Sequence, residues 1–272
     1  MLIYPPINPV ALSLGQFNIH WYGVMYLLGF LCFLYVGKWR IKHYGHPVLT
    51  PEMMDDFLFY GALGVILGGR LGYCLFYRPE IYLLHPLDLF KTWDGGMSFH
   101  GGLIGVCLGV YLFSRKLKCS FLLLMDFASV LVPIGLFLGR VGNFINGELW
   151  GRLCDPNLPW GMLFPDGGAF PRHPSRIYEA LAEGVLLFVI MLWYIRKPRA
   201  IGQTCSLFVI CYGLIRFGLE FFREPDLFAT AVVKITGLSL GQLYSIPMII
   251  IGVVFYVWAG TGKFNSASLQ SN

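Results

Sequence analysis

Seven apolar runs divide this chain, and each is close to the ~20 residues that a helix needs to cross a bilayer. They cover residues 19–37, 57–77, 98–114, 121–139, 178–195, 203–222 and 241–260. Only 13% of the 272 residues are charged, against about 25% in an average soluble domain. The sequence therefore predicts an all-α polytopic membrane protein with about seven transmembrane helices, forming a single integral-membrane domain over residues 1–272.

The positively charged residues predict the orientation of these helices. Lysine and arginine form compact clusters in the first, third and fifth connecting segments, at residues 38–42, 115–118 and 196–199. Because such clusters stay on the cytoplasmic side of a membrane, we expect the N-terminus outside and the C-terminus inside. The net charge of +5 then reflects topology, and no nucleic-acid partner is expected. The longest connection, at about residues 140–177, is predicted to be an outward-facing loop.

The seven cysteines predict neither a disulfide framework nor a metal site. Their number is odd, and no Cys-x-x-Cys pair occurs in the sequence. Most of them lie within the apolar runs, where cysteine behaves as a small hydrophobic residue.

A glycine-rich segment at residues 95–102 contains His100. A histidine among glycines can approach a ligand closely, and an imidazole can take a proton from a thiol near neutral pH. The alternative is a cluster of glycines for helix packing that contains a hydrogen-bonded histidine.

A second segment, residues 139–152, places two arginines, two asparagines and one glutamate between four glycines. Arginine binds phosphate through two parallel hydrogen bonds, and asparagine adds neutral ones. Polar groups at this density beside a membrane indicate a site for an anionic lipid headgroup. The alternative is an ordered interfacial loop anchored by Trp150.

A third segment lies at the start of the fifth apolar run. Pro174 and Ser175 are typical of a helix start, and Glu179 is expected in the first turn. Helix capping is the simpler interpretation here, while Arg176 is a candidate for contact with lipid headgroups.

A fourth segment closes the sixth apolar run. Arg216, Glu220 and Arg223 stand at i, i+4 and i+7, so they share one helix face. Glu220 can hold either arginine in place and leave guanidinium donors for a phosphate. A purely structural ion pair is the alternative.

Taken together, these motifs resemble the bacterial prolipoprotein diacylglyceryl transferase family. The resemblance covers nearly the whole chain in order, and the segment at 139–152 is similar to the family signature. The matching stretches are residues 20–23, 95–102, 139–152 and 173–175, followed by Arg216, Glu220 and Arg223.

The resemblance implies seven spans with the N-terminus outside, and a specific reaction. Members of the family move the diacylglyceryl group of phosphatidylglycerol to the thiol of the lipobox cysteine in a prolipoprotein, which releases glycerol phosphate. No metal or dissociable cofactor is implied, and no cysteine of the chain itself is expected to be needed. The important residues of the family match Tyr22, His100, Arg140, Asn143, Glu148, Gly151, Arg216 and Glu220.

The chemistry suggests a role for several of these residues. Because the leaving group is a phosphate ester, we expect Arg140 and Arg216 to stabilise its charge and Asn143 to orient the headgroup. His100 is the candidate base for the thiol, with Glu148 as the alternative. Two further arginines are candidates for binding phosphatidylglycerol, Arg70 and Arg223.

The expected partners are phosphatidylglycerol, the lipobox peptide and membrane lipids, for a monomer in the bacterial cytoplasmic (inner) membrane with its active site toward the outer side. A transporter or channel for an anionic substrate is the main rival. It would carry ionisable residues across the whole bilayer, whereas here they gather toward the outer side and the first, fourth and fifth spans look nearly free of them. A non-catalytic lipid-binding or assembly protein would need the arginines but no base, so the candidate bases His100 and Glu148 argue against it.

Overall fold

The computed structural model describes residues 2–15, 17–90, 96–224, 233 and 235–262, and these are mostly helical. They divide into two compact units, one of residues 2–33 and 126–262 and the other of residues 34–125. The helices are α1 (Trp21–Tyr44), α2 (Met53–Phe76), α3 (Pro79–Leu84), α4 (Phe99–Lys116), α5 (Phe121–Ile145), α6 (Ser175–Tyr194), α7 (Gln203–Leu219) and α8 (Leu240–Gly260), with a short 3-10 helix at Pro86–Phe90.

Five of these helices are long and apolar enough to cross a membrane: α1, α2, α5, α6 and α8. The chain is therefore a multi-pass membrane protein. The remaining two predicted spans correspond to α4 and α7. Helix α7 is shorter than the other predicted spans, with only 17 residues. Helix α4 contains several glycines and ends on Arg115 and Lys116, which lower its apolar character.

Four short strands among the described residues correct the expectation of a purely helical chain. β1 (Leu2–Ile3) pairs in parallel with β4 (Met162–Leu163), and β2 (Val10–Leu14) pairs antiparallel with β3 (Phe17–His20). The first apolar run was expected to be helical from residue 19, but helix α1 begins only at Trp21. Antiparallel pairing with strand β2 holds β3, the residues just before α1, in an extended conformation.

In the unit of residues 34–125, glycines let α2 and α4 pack at backbone contact. A Cβ atom on Gly105 would lie 2.0 Å from the carbonyl oxygen of Gly64, and one on Gly101 would lie 2.3 Å from that of Gly68. Only glycine fits such contacts, which are typical of helix pairs in membranes. The glycine-rich third run is therefore an interhelical surface.

One end of the same unit carries two ion pairs. Lys38 Nζ lies 2.7 Å from a carboxylate oxygen of Asp55, and Lys116 Nζ lies 2.6 Å from Asp56. The C-terminal ends of α1 and α4 therefore share an end of the unit with the N-terminal turn of α2. Asp55, Asp56 and Lys116 are more than half exposed and the Lys38 side chain is 31% exposed, so each pair adds little to stability.

In the other unit, α5, α6 and α7 share an apolar core. Val130, Leu187 and Met191 are fully buried there. Helix α6 approaches α5 closely at Gly184, where a Cβ would lie 2.6 Å from the Cβ of Phe137. At the N-terminus of α7 the carboxylate of Asp126 accepts hydrogen bonds from the backbone N–H groups of Gly202 and Cys205, at 2.6 and 2.7 Å.

Candidate active site

Helix α5 extends beyond the apolar run that predicted it and ends at Ile145. Arg140 and Asn143 therefore lie on its last turns, and the expectation that they belong to an irregular loop was wrong. Glycine is common in turns, but in a membrane helix it also serves close packing. Gly142 faces Tyr22 of α1, whose ring would lie 3.1 Å from a Cβ at that position.

Arg140 is held by two carboxylates of α6. Its Nε lies 3.1 Å from Glu179 Oε2 and donates to Glu183 Oε2 at 2.9 Å. Its Nη2 lies 2.9 Å from the same Glu183 oxygen. The side chains of Glu179 and Glu183 are 1% and 0% exposed, so both charges are removed from solvent and depend on their arginine partners.

Arg216 of α7 reaches the same two carboxylates. Its Nη1 lies 3.3 Å from Glu179 Oε1 and 3.4 Å from Glu183 Oε1, while its Nη2 donates to Glu220. Arg140 and Arg216 lie 76 positions apart in the sequence. The two glutamates of α6 bring them together.

Glu220 lies just after α7, and other residues hold it from several sides. Ser239 Oγ donates to its Oε2 at 2.8 Å, and Arg223 Nη1 lies 3.5 Å from its Oε1. Gly241 leaves room for the carboxylate, because a Cβ there would lie 2.5 Å from it. Glu220 thus contacts both arginines. The expectation that all three share one helix face was wrong, because α7 ends at Leu219 and Arg223 forms an extended bridge with Gly151.

Glu179 and Glu183 were not identified as site residues from the sequence. Glu179 was interpreted as a helix-capping residue, and that interpretation was wrong: it is buried and pairs with Arg140, Arg176 and Arg216. The fifth run was also described as nearly free of ionisable residues, although it contains both glutamates. Two acids at i and i+4 in an otherwise apolar run were the signal that could have revealed them.

The local helix geometry keeps these two acids on one side of α6. Residues Ala180–Leu186 form a π-helical stretch, with i→i+5 hydrogen bonding and more residues per turn than an α-helix. Side chains at i and i+4 then point in nearly the same direction. Such stretches are frequent at functional sites.

The result is a buried charge cluster with more positive than negative charge. Among the described residues it comprises four arginines and three glutamates, or +4 against −3, which leaves +1. Its members are Arg140, Arg176, Arg216, Arg223, Glu179, Glu183 and Glu220. A buried excess of positive charge favours an anionic ligand.

A sharp turn connects α5 to this cluster. Gly147 and Leu149 both have positive φ, of 68° and 58°. For leucine this backbone conformation is strained. It directs the Leu149 carbonyl oxygen to Ser175 Oγ at 3.2 Å and Arg176 Nε at 3.0 Å. On the same turn Glu148 is exposed and accepts a 2.7 Å hydrogen bond from Asn143 Nδ2.

Gly151 lies between two other backbone segments. Its N–H donates to the carbonyl of His173 at 3.0 Å, and a Cβ would lie 2.5 Å from the carbonyl oxygens of both His173 and Phe222. No other residue fits without moving the backbone. Gly151 therefore positions the segment around Arg223 in this structure.

His173 lies directly before α6 in an aromatic environment. Its Nδ1 is 3.2 Å from the hydroxyl of Tyr178, and its ring contacts that of Phe222 edge to face. Burial lowers the pKa of His173. Tyr178 also accepts a 2.9 Å hydrogen bond from Trp160 Nε1.

Tyr22 and Tyr26 lie on successive turns of α1, with their hydroxyl oxygens 3.2 Å apart. The contact of Tyr22 with Gly142 places it beside the last turns of α5, which carry Arg140 and Asn143. Tyr22, Arg140, Asn143 and Glu148 therefore belong to one neighbourhood of the unit formed by residues 2–33 and 126–262.

The other unit contains His100 and Arg70. His100 is exposed in the first turn of α4, which Ser98 caps by accepting from the Gly101 N–H at 3.2 Å. Arg70 is 4% exposed and donates to the carbonyl oxygens of Asp88 at 2.7 Å and Leu89 at 2.9 Å.

These bonds give Arg70 a role in holding the segment after α3, and its binding of phosphatidylglycerol stays a prediction. Gly95, the first residue of the glycine-rich motif, lies outside the described residues.

Comparison with known proteins identifies the family. The family model described as prolipoprotein diacylglyceryl transferase matches residues 9–258. The chain belongs to the prolipoprotein diacylglyceryl transferase family. A relative from Methylobacillus flagellatus is 55% identical over 93% of this chain and 97% of its own length. Relatives from Nitrosomonas europaea and Paracidovorax citrulli are 51% and 50% identical, each over 95% of this chain and over 92% and 98% of their own lengths.

All three relatives are named phosphatidylglycerol–prolipoprotein diacylglyceryl transferase. This membership confirms the resemblance found in the sequence motifs and makes the chain a transferase. The family match covers both units, so it includes the arginine cluster as well as the segment around His100.

Proposed function

We propose that this chain transfers the diacylglyceryl group of phosphatidylglycerol to the thiol of the lipobox cysteine of a prolipoprotein, the first step of lipoprotein maturation. The names of its relatives support this assignment. The structural observation that carries it is the cluster in which four arginines gather around three glutamates. A transporter is not favoured, because the relatives are named as enzymes.

In this reaction a carbon–sulfur bond forms and a carbon–oxygen bond breaks. The cysteine sulfur attacks the glyceryl carbon that carries the phosphate ester, and glycerol phosphate leaves with the bonding electrons. The thiol proton passes to a base. Negative charge therefore grows on the leaving phosphate, and preorganised cationic donors stabilise it most in the transition state.

We assign this stabilisation to Arg140 and Arg216. A guanidinium has several N–H donors in a rigid plane, so pairing with carboxylates leaves donors for phosphate oxygens. Glu179 and Glu183 hold both groups in place before the substrate arrives. Asn143, one turn after Arg140, is proposed to orient the headgroup, with Arg223 as a further cationic contact.

The base is proposed to be His100, with Glu148 as the alternative. Glu148→Gln keeps an acceptor for the Asn143 hydrogen bond but removes the carboxylate, so its effect reports on charge. If His100 is the base, His100→Gln should abolish transfer while Glu148→Gln retains more activity. If Glu148→Gln is the more damaging change, Glu148 is the base that takes the thiol proton.

We also propose seven spans with the N-terminus outside, in a monomer of the bacterial inner membrane with its active site toward the outer side. The two ion pairs of Lys38 and Lys116 support this topology. They lie at one end of their unit, and both lysines belong to clusters that we expect on the cytoplasmic side. In a protein without other cysteines, Lys197→Cys should react with a membrane-impermeant reagent only after the membrane is opened. Labelling in intact cells would overturn this topology.

The reaction itself is tested with purified protein, phosphatidylglycerol and a lipobox peptide. We expect a thioether-linked diacylglyceryl peptide and one glycerol phosphate per transfer, detected by mass spectrometry. A peptide with serine in place of the lipobox cysteine is the matched control and should remain unmodified. Absence of product from folded protein would refute the proposed function.

A further inference from the structure

Arg176 has a buried donor with which no described residue pairs. It lies in the first turn of α6 and is 2% exposed. Its Nε donates to the Leu149 carbonyl oxygen at 3.0 Å, and its Nη1 pairs with Glu179. Within the described residues, its Nη2 is buried and has no hydrogen-bond partner.

An unpaired guanidinium N–H in a buried site is unfavourable. Leaving such a charged donor unsatisfied costs more than leaving a neutral one unsatisfied. Arg140 and Arg223 also lie within electrostatic range of Arg176, and both carry positive charge. An anionic oxygen between these groups would satisfy the donor and reduce their mutual repulsion.

We propose that Arg176 binds a phosphate oxygen of the phospholipid substrate through Nη2, as a specificity-determining residue beside Arg140 and Arg216. This inference rests on the proposed function, because it assigns a further contact within the same site. The ligand chemistry is a phosphate oxygen, which phosphatidylglycerol and the released glycerol phosphate share. The remaining guanidinium contacts keep this donor fixed between the Leu149 turn and Glu179.

The test replaces Arg176 by Lys. An ammonium group can still pair with Glu179, but it cannot at the same time reach the positions of Nε and Nη2. Loss of one charged hydrogen bond corresponds to roughly tenfold to a hundredfold in affinity. We therefore expect the KM for phosphatidylglycerol and the inhibition constant of glycerol phosphate to rise together by about tenfold or more, with a smaller change in kcat.

Ser175→Ala is the matched control. It removes the other side-chain donor to the Leu149 carbonyl, at 3.2 Å, and leaves the Arg176 guanidinium in place. If Arg176 acts only by holding this turn, Ser175→Ala should shift the same constants in the same direction. That result would overturn the inference, as would wild-type constants for Arg176→Lys.

Two further measurements separate the possible failures. If Arg176→Lys does not fold, Arg176→Gln serves instead, since its amide can still donate to the Leu149 carbonyl. Binding of glycerol phosphate, followed by thermal shift without turnover, tests the phosphate contact directly. Wild-type protein that binds glycerol phosphate through Arg176 but transfers no lipid would refute the proposed reaction and leave this contact standing. Equal thermal shifts for wild type and Arg176→Lys would refute the contact alone.

Discussion

The replacement of Arg140 by Lys tests the central feature of the site. Arg140 makes three close contacts with two carboxylates: Nε to Glu179 at 3.1 Å, and Nε and Nη2 to Glu183 at 2.9 Å each. A lysine keeps the positive charge but has a single nitrogen. It can satisfy one carboxylate while losing the planar pair of donors that fits a phosphate.

The expected loss of stability depends on which arginine partners each carboxylate keeps. Glu179 still has Arg176 and Arg216, and Glu183 still has Arg216, so neither buried charge is left alone. The destabilisation should therefore stay below the ~3–5 kcal/mol of a fully broken buried pair. Loss of one transition-state donor costs about 3 kcal/mol, or roughly a hundredfold in rate.

The assay measures the initial rate of transfer from phosphatidylglycerol to a lipobox peptide at matched amounts of folded protein. Arg196→Lys, at an exposed arginine after α6, is the matched control and should retain the wild-type rate. If Arg140→Lys also retained it, the guanidinium plane would not matter. The phosphate role would then pass to Arg216 and Arg223.

Three kinds of change test other parts of the structure. Glu183→Gln removes one charge that Arg140 and Arg216 share, but both arginines keep Glu179. We therefore expect a loss of stability toward unfolding in detergent that stays below about 3 kcal/mol, together with a reduced transfer rate; unchanged values would argue against a preorganised cluster. Gly105→Ala should lower the yield of folded protein, because its Cβ would meet backbone 2.0 Å away, whereas Gly61→Ala meets nothing within 4 Å and should fold normally. Burial lowers the pKa of His46 to about 4, and its Nδ1 accepts two backbone N–H groups, so the folded state resists protonation. Stability should therefore fall as pH drops from about 6.5 toward 4, by at most ~3 kcal/mol and less where solvent screens the ring. His46→Asn should flatten this dependence in a thermal melt, and an equally steep curve would contradict the assignment.

The sequence predicted the helical membrane class and singled out most members of the arginine cluster, because both depend on local pattern. Apolar runs near the length of a bilayer span predict helices wherever they occur. The spacing of Arg216 and Glu220 places them one helical turn apart, and the structure pairs them. Local pattern also explains the errors, since glycines near Arg140 look like turn residues until the helix that they contact is known.

What the sequence alone determined about this protein is its membrane class, its family and the arginines, asparagines and acids available for a site. Only the tertiary structure decided that Glu179 and Glu183 join Arg140 to Arg216, and that Arg176 has a buried donor with no hydrogen-bond partner among the described residues. The physical reason is that buried charges find partners across helices. Which guanidinium meets which carboxylate depends on how closely α5, α6 and α7 approach, at contacts such as Gly184 against Phe137, and no single segment encodes that distance.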